Sequence, residues 1–204
     1  MLTGKGPISS RCAHLYNPFM SRRDRFAIGL LVSFALVAVT LELYFLVFHR
    51  ELVARAPTQL FARLFSIYGV ADRGYYDHVS PLALGLEGIN VFVMQPVCAL
   101  LVYAILRGRA YRWPLQLAVG TYLCISVVLY WAVAVISGYA EMAEHSSKAF
   151  ALFYVGNAPW LVGYGWLALD AGAAIARAFG MTRESRRHSF TLRPAQSGPI
   201  EERA

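Results

Sequence analysis

Charged residues are scarce in this sequence, and their scarcity excludes most classes of soluble protein. Only 15% of the 204 residues are Asp, Glu, Lys or Arg, whereas soluble domains usually carry about a quarter. The hydrophobic fraction is 57%, and the apolar residues are gathered in long blocks rather than spaced at helix or strand periods. The composition therefore predicts a one-domain membrane protein that crosses the bilayer several times.

Patterns that would indicate metal, nucleotide or nucleophilic chemistry are missing as well. Cys12, Cys98 and Cys124 form no Cys-x-x-Cys pair, so we expect neither a disulfide nor a metal site. There is no glycine-rich phosphate loop and no Ser/His/Asp set, so we expect no cofactor. The net charge of +7 raises the alternative of a nucleic-acid partner. The arginines lie between the apolar blocks, however, where they are typical of membrane topology, and we expect no nucleic acid.

Four apolar stretches are long enough to cross a bilayer, which needs about 20 residues. They predict an all-α fold, a bundle of four transmembrane helices at residues 26–48, 81–106, 115–136 and 150–176. We expect a basic arm at 1–25, a membrane domain at 26–176 and a disordered tail at 177–204. Between the first two stretches, residues 58–68 place their large apolar side chains together and predict an amphipathic helix at the membrane surface.

The distribution of lysine and arginine predicts the orientation of this bundle. With four spans, 14 of the 19 basic residues fall in the arm, the turn at 107–114 and the tail, and 5 fall in the loops at 49–80 and 138–149. Basic residues are in excess on the cytoplasmic side of membrane proteins. Both termini are therefore expected in the cytoplasm.

Two carboxyl groups interrupt the apolar stretches at matching depths. Glu42 lies six residues before the end of the first predicted helix, and Glu87 lies six residues after the start of the second. At 1.5 Å per residue both lie roughly 9–10 Å below the same membrane boundary. Asn157 and Tyr130 reach this layer from the fourth and third helices. Two acids close together in a low dielectric do not both ionise, so one can donate a proton while the other accepts one.

Other polar and aromatic residues have less specific interpretations. Trp160, one turn beyond Asn157, either packs or faces a developing positive charge through its ring. The polar layer as a whole is also compatible with helix association alone. We expect a structural role for Asp170 near the end of the fourth helix. The loop acids are expected to be solvated: Asp72, Asp77, Glu141 and Glu144.

The ordered set of these residues resembles the emopamil-binding proteins and the sigma-2 receptor group, which share the EXPERA domain. In the fourth helix, Asn157-Ala-Pro-Trp160 and the later Leu-Asp170-Ala are similar to the family's Asn-x-x-Trp and Leu-Asp-Ala. Glu87 followed by Gln95-Pro96 and a basic turn is similar to the family's second helix. Glu42 followed by aromatic residues is similar to its first.

The resemblance implies a sterol-handling membrane protein of the endoplasmic reticulum. Emopamil-binding proteins are 3β-hydroxysteroid Δ8–Δ7 isomerases, which protonate a ring double bond and remove a different proton. Glu42 and Glu87 match the catalytic carboxyl groups, and Asn157 and Trp160 match residues near the carbocation. The same polar and aromatic layer adds Tyr130 and Tyr44 to the expected substrate-binding set. Expected partners are the lipid bilayer, a sterol-like molecule and cationic amphiphilic amines, and a homodimer is left open.

Two departures from the family pattern leave three functions to compare. Ala38 stands where the enzymes carry a histidine, and Val127 and Val128 stand where they carry an aspartate in the third helix. The leading hypothesis is an isomerase of a sterol or of another polycyclic terpenoid. The second is a non-catalytic sterol or lipid binder in transport or regulation, and the third is a structural assembly partner.

Overall fold

The computed structural model describes residues 20–191, with side chains described as far as residue 180. Within this range every regular element is a helix. The predicted arm at 1–19 and the last part of the predicted tail, 192–204, lie outside the described residues. The helices are α1 Arg22–Phe48, α2 Leu52–Arg55, α3 Leu60–Tyr68, α4 Pro81–Leu106, α5 Arg112–Ile136 and α6 Ser147–Thr191.

α1 and α4 both begin at sequence-encoded caps. The Ser21 hydroxyl accepts the Asp24 N–H at 3.1 Å, and the Asp24 carboxylate accepts the Ser21 N–H at 3.3 Å, which together form a capping box before α1. At α4, Pro81 occupies the first helical position and the Ser80 hydroxyl accepts the Ala83 N–H. Proline is tolerated at that position because its missing N–H would have no intrahelical partner.

Three of the helices, α1, α4 and α5, are long and apolar enough to cross a membrane. α6 is longer, but it contains Asn157, Pro159 and several glycines. Among the described residues, it is not one of the helices apolar enough to cross a membrane. The all-helical class is therefore confirmed, whereas the predicted count of four spans is not. α6 also continues to Thr191, so the stretch after residue 176 that we expected to be disordered is helical as far as that residue.

The core of the bundle joins α1, α4, α5 and α6. Its fully buried side chains include Leu31, Leu101, Leu123 and Leu167. α5 and α6 approach to backbone contact at Gly120, where an added Cβ would lie 2.6 Å from the Ala168 nitrogen. Small residues permit this kind of close approach between helices in membranes.

A polar cluster ties the helices together at the end of the bundle where α1 and α5 begin. Arg112 forms an ion pair with Asp24, and Arg23 forms another with Asp170 at 3.2 Å. Gln116 donates to a backbone carbonyl of α6 at 3.1 Å and to Asp170 at 3.3 Å. These contacts agree with the structural role predicted for Asp170.

The segment between α1 and α4 covers the opposite end of the bundle. Phe45, Leu52 and Ala62 are buried together there, which seats α2 and α3 on α1. α3 exposes Leu60 and Ile67 on its other face. A short 3₁₀ turn, Arg73–Tyr75, then directs side chains back into the bundle.

Candidate active site

A cavity of about 280 Å³, called here the central cavity, lies between α1, α3, α4, α5 and α6. Its wall is mostly apolar, and ligand pockets typically occupy about 300–1,000 Å³. The central cavity is therefore close to the lower end of that range. Its polar wall includes Glu42 from α1, Glu87 and Asn90 from α4, and Asn157 from α6.

Both carboxyl-bearing helices depart from α-helical geometry beside this cavity. Glu42 closes a π-helical turn, Ala38–Glu42, and a second π-helical turn, Asn90–Met94, follows Glu87 by three residues. Isolated π turns in α-helices are often found at functional sites. The second turn has a local cause, because the ring of Pro96 would clash with the carbonyl of Phe92 in a regular α-helix.

Glu87 is buried, and each of its two carboxyl oxygens accepts a hydrogen bond. Its Oε1 accepts the Tyr75 hydroxyl at 2.6 Å, and its Oε2 accepts the Asn90 amide at 3.3 Å. Tyr75 comes from the 3₁₀ turn and reaches the carboxyl group from outside the four long helices. Charge-assisted hydrogen bonds of this kind stabilise a carboxylate in an apolar environment.

Glu42 has a different environment. Its Oε2 is buried without a hydrogen-bond partner among the described residues. Its carboxyl group lies close enough to that of Glu87 for the two to interact electrostatically. A buried ionised oxygen with no donor is costly, so this site favours a carboxyl group that carries its own proton.

Asn157 and Trp160 project from α6 onto the same wall. The Asn157 Nδ2 donates to the carbonyl of Phe153 at 2.8 Å and to the Tyr68 hydroxyl at 3.0 Å. The Trp160 ring stacks on Tyr164 with centroids 5.9 Å apart. Both side chains line the cavity, as do Glu42 and Glu87.

The other two predicted substrate-binding residues lie away from the central cavity. Tyr130 lines a second cavity of about 140 Å³, where its hydroxyl donates to Asp72. Tyr44 donates to Gln59 at 2.5 Å, and its ring packs on Phe48 and Phe61. The substrate-binding role of Tyr130 and Tyr44 stays a prediction.

The prediction that Asp72 is solvated is wrong. Asp72 is only 6% exposed, and its carboxylate accepts the Tyr130 hydroxyl and the Gly74 N–H. Burial raises the pKa of Asp72 above its usual value, and the two donors oppose that shift. Asp77 lies on the surface in an ion pair with Arg73 at 3.0 Å, and this pairing lowers its pKa.

Sequence reasoning also missed Tyr68 and Tyr75, which the loop contributes to the cavity wall. Burial raises the pKa of Tyr68 to about 12, so its hydroxyl stays protonated at neutral pH. A usable signal was present: three tyrosines and two aspartates lie close together between Tyr68 and Asp77. So many large aromatic residues in a loop indicate that part of it is buried.

The fold and the site together define an all-helical membrane protein with two neighbouring carboxyl groups in an internal, mostly apolar cavity. The EXPERA (EXPanded EBP superfamily) family model matches residues 60–171, more than half of the chain. This chain belongs to that family. Glu87, Asn157 and Trp160 lie inside the matched region, and Glu42 precedes it.

Three curated plant proteins are similar to this chain. A probable 3-beta-hydroxysteroid-Delta(8),Delta(7)-isomerase of Arabidopsis thaliana is 28% identical over 147 residues, 69% of this chain and 65% of that protein. Isomeliandiol synthase of Ailanthus altissima is 27% identical over 164 residues, 79% of this chain and 73% of that protein. Protoglabretal synthase of the same plant is 29% identical over 133 residues, 64% of this chain and 60% of that protein. The chain thus spans between 60% and 73% of the length of these relatives.

Proposed function

We propose that this protein is a double-bond isomerase of a sterol or a related polycyclic terpenoid and that Glu42 and Glu87 transfer the protons. The observation that carries the proposal is the placement of two interacting carboxyl groups on one mostly apolar cavity. Acid and base at one site suit a reaction that adds a proton to one carbon and removes a proton from another. The names of the curated relatives, a sterol isomerase and two terpenoid synthases, support the substrate class.

Hydrogen bonding supports an assignment of the two roles. Glu87 receives donors from Tyr75 and Asn90, and donors favour the ionised form of a carboxyl group. The buried oxygen of Glu42 receives none from the described residues, which favours the neutral form. We therefore assign Glu42 as the acid and Glu87 as the base.

The reaction then proceeds in two steps. Glu42 gives its proton to one carbon of the ring double bond, whose π electrons form the new C–H bond and leave a cation on the other carbon. Glu87 removes a proton from a carbon next to the cation, and the electrons of that C–H bond form the shifted double bond. The proton returns from Glu87 to Glu42 across the pair, so the reaction needs no external oxidant, reductant or net proton.

The cavity wall protects the cationic intermediate. Trp160 presents an aromatic ring, which attracts a cation by about 2 kcal/mol when the site is desolvated. The apolar residues around the acids exclude water that would otherwise capture the cation. Ala38 is fully buried in the π-helical turn of α1, and Val127 lines the cavity. Accordingly, the proposal assigns proton transfer to Glu42 and Glu87 and requires no histidine.

Substitution of each carboxyl group tests this proposal. We expect Glu42→Gln and Glu87→Gln to lower conversion of a Δ8 sterol by at least about 100-fold, because a positioned acid or base contributes about 10²–10⁴-fold. Conversion is measured by gas chromatography and mass spectrometry of lipid extracts after incubation in nanodiscs. Glu51→Gln is the matched control, since Glu51 is exposed and pairs with Arg55. Unchanged turnover in both cavity variants would refute the mechanism.

A non-catalytic binder is the second candidate, and Ala38 in place of the family histidine is the observation that favours it. A protein of that kind would bind a sterol or a cationic amphiphilic amine and be stabilised against heat by mass action. It would return the sterol unchanged in the same incubation. A purely structural partner would show neither stabilisation nor conversion.

We also propose that α6 is a fourth span, that both termini are cytoplasmic and that the protein resides in the endoplasmic reticulum. α6 packs along α5, which is itself a candidate span, and the basic residues concentrate on one predicted side. In a Cys12→Ser background, Arg109→Cys should react with a membrane-impermeant thiol reagent from the cytoplasmic side only. Glu144→Cys should react from the opposite side only, and labelling of both from one side would refute the topology.

A further inference from the structure

A row of hydrogen-bonding groups connects the central cavity with the buried loop carboxylate of Asp72. Asn157 donates to the Tyr68 hydroxyl at 3.0 Å, and the Tyr68 and Tyr130 hydroxyls lie 3.1 Å apart. The Tyr130 hydroxyl reaches Asp72. The row crosses from α6 through α3 and α5 to the 3₁₀ turn, and the isomerase chemistry proposed above makes no use of it.

The direction of every hydrogen bond in the row follows from its two ends. At one end, the Asp72 carboxyl group accepts the Gly74 N–H and the Tyr130 hydroxyl, so Tyr130 donates to Asp72 and accepts from Tyr68. At the other end, the Phe153 carbonyl only accepts, so the Asn157 atom 2.8 Å from it is the nitrogen. Tyr68 therefore accepts from Asn157 and donates away from the cavity.

The directions of these hydrogen bonds determine which atoms of Asn157 and Tyr68 face a ligand in the central cavity. Both hydrogens of the Asn157 amide are committed, one to Phe153 and one to Tyr68, which leaves its Oδ1 for the cavity that Asn157 lines. Tyr68 donates its hydrogen to Tyr130 and accepts from Asn157 with one lone pair, so it presents its remaining lone pair to the cavity. Acceptors without free donors favour positive charge at the ligand.

We propose that Asp72 and Tyr130 are positioning residues that set the charge preference of the central cavity. They hold Tyr68 and Asn157 with oxygen atoms, rather than O–H or N–H groups, directed at the ligand. The cavity then prefers a cation to a neutral molecule of the same shape. The inference rests on the proposed function, because a carbocation is what that isomerisation forms.

Asp72→Asn tests the proposal by reversing the row without removing a heavy atom. The Asp72 Oδ1 accepts the Gly74 N–H at 2.7 Å, so the oxygen of an amide at this position must take the same place. Its NH₂ group then lies where Oδ2 meets Tyr130, and it donates to that hydroxyl. Tyr130 in turn donates to Tyr68, whose own hydrogen is released toward the cavity.

The measurement compares two ligands of one skeleton in nanodiscs: a ring-nitrogen azasteroid, which is cationic, and the all-carbon steroid. We expect Asp72→Asn to weaken azasteroid binding about 5- to 10-fold, the size of one net hydrogen bond, and to change binding of the neutral steroid less than about twofold. Tyr130→Phe should act in the same direction, because it removes the acceptor of the Tyr68 hydrogen and keeps the ring that packs on Phe153.

Two substitutions are matched controls. Asp77→Asn changes a neighbouring loop acid that pairs with Arg73 on the surface. Tyr154→Phe removes a hydroxyl that forms a hydrogen bond with the Tyr139 hydroxyl, at 2.6 Å. Both should leave the ratio of the two affinities unchanged.

An unchanged ratio of the two affinities in Asp72→Asn would overturn the proposal. If both affinities fall equally, Asp72 only supports the fold. Turnover is measured separately on the same preparations. A protein that keeps the charge preference and its dependence on Asp72 but does not isomerise refutes the proposed isomerase and leaves this inference standing.

Discussion

The hydroxyl of Tyr75 offers a sharp test of the roles assigned to the carboxyl pair. It donates to the buried Oε1 of Glu87 at 2.6 Å. Tyr75→Phe removes this donor and keeps the ring that packs on Phe45 and Tyr68, with centroids 5.1 and 5.7 Å away. The Asn90 amide still donates to Glu87 in this variant.

The size of the effect follows from the kind of hydrogen bond that is lost. Hydrogen bonds to charged groups contribute about 1.5–3 kcal/mol, which corresponds to about 10- to 150-fold in an equilibrium or rate constant. With fewer donors the ionised base is less favoured, so kcat should fall by a factor in this range. KM should change little, because the shape of the wall is preserved.

The assay is steady-state conversion of a Δ8 sterol by protein in nanodiscs, with kcat and KM determined separately. Tyr154→Phe is the matched control, since its hydroxyl bonds Tyr139 and it does not line the central cavity. A Tyr75→Phe protein whose kcat stays within twofold of the parent would refute the assignment of Glu87 as the ionised base.

Three further predictions concern packing, pH and the cation. Gly120→Ala should cost about 1–3 kcal/mol of stability, because its Cβ would meet the backbone of α6 at 2.6 Å. Gly85→Ala is the control: its Cβ would meet nothing within 4 Å, so it should not lower the melting temperature. The Arg73 guanidinium lowers the pKa of Asp77, so this carboxylate stabilises the protein above its unfolded-state pKa, and the contribution is lost as the pH falls through the folded-state pKa. Asp77→Asn should therefore lower the melting temperature slightly at neutral pH and not once Asp77 is protonated in both states; an equal change at all pH values would contradict this. Trp160→Leu keeps an apolar wall but removes the ring, and should lower kcat about 5- to 30-fold, from a cation–π contribution of about 1–2 kcal/mol; unchanged kcat would place the cation elsewhere.

The proline in α4 illustrates how far local sequence can be extended into structure. Pro96 predicts a disturbance one turn earlier, near Phe92, because a proline clashes with the carbonyl four residues before it. The structure has a π-helical turn at Asn90–Met94, which lies in that place. No comparable signal precedes the π-helical turn at Ala38–Glu42, which contains no proline.

Asp72 shows the limit of the same reasoning. In the sequence it is one of several acids in a mixed loop, and a solvated carboxylate is the ordinary expectation for such a residue. Its burial depends on Tyr130, 58 residues later in the chain, which supplies the donor that makes a buried carboxylate tolerable. A partner so distant in sequence leaves no local pattern around Asp72.

Taken alone, the sequence predicted the all-helical class, three helices that are long and apolar enough to cross a membrane, and four residues that line one cavity: Glu42, Glu87, Asn157 and Trp160. It could do so because apolar length and the rise per residue of a helix are local properties that set depth. The tertiary structure alone decided which carboxyl group receives donors and that the loop between α1 and α4 supplies one of them, the Tyr75 hydroxyl. It also decided that Tyr130 and Tyr44 face other partners, because the rotation of a helix and the path of a loop are set by packing between distant segments.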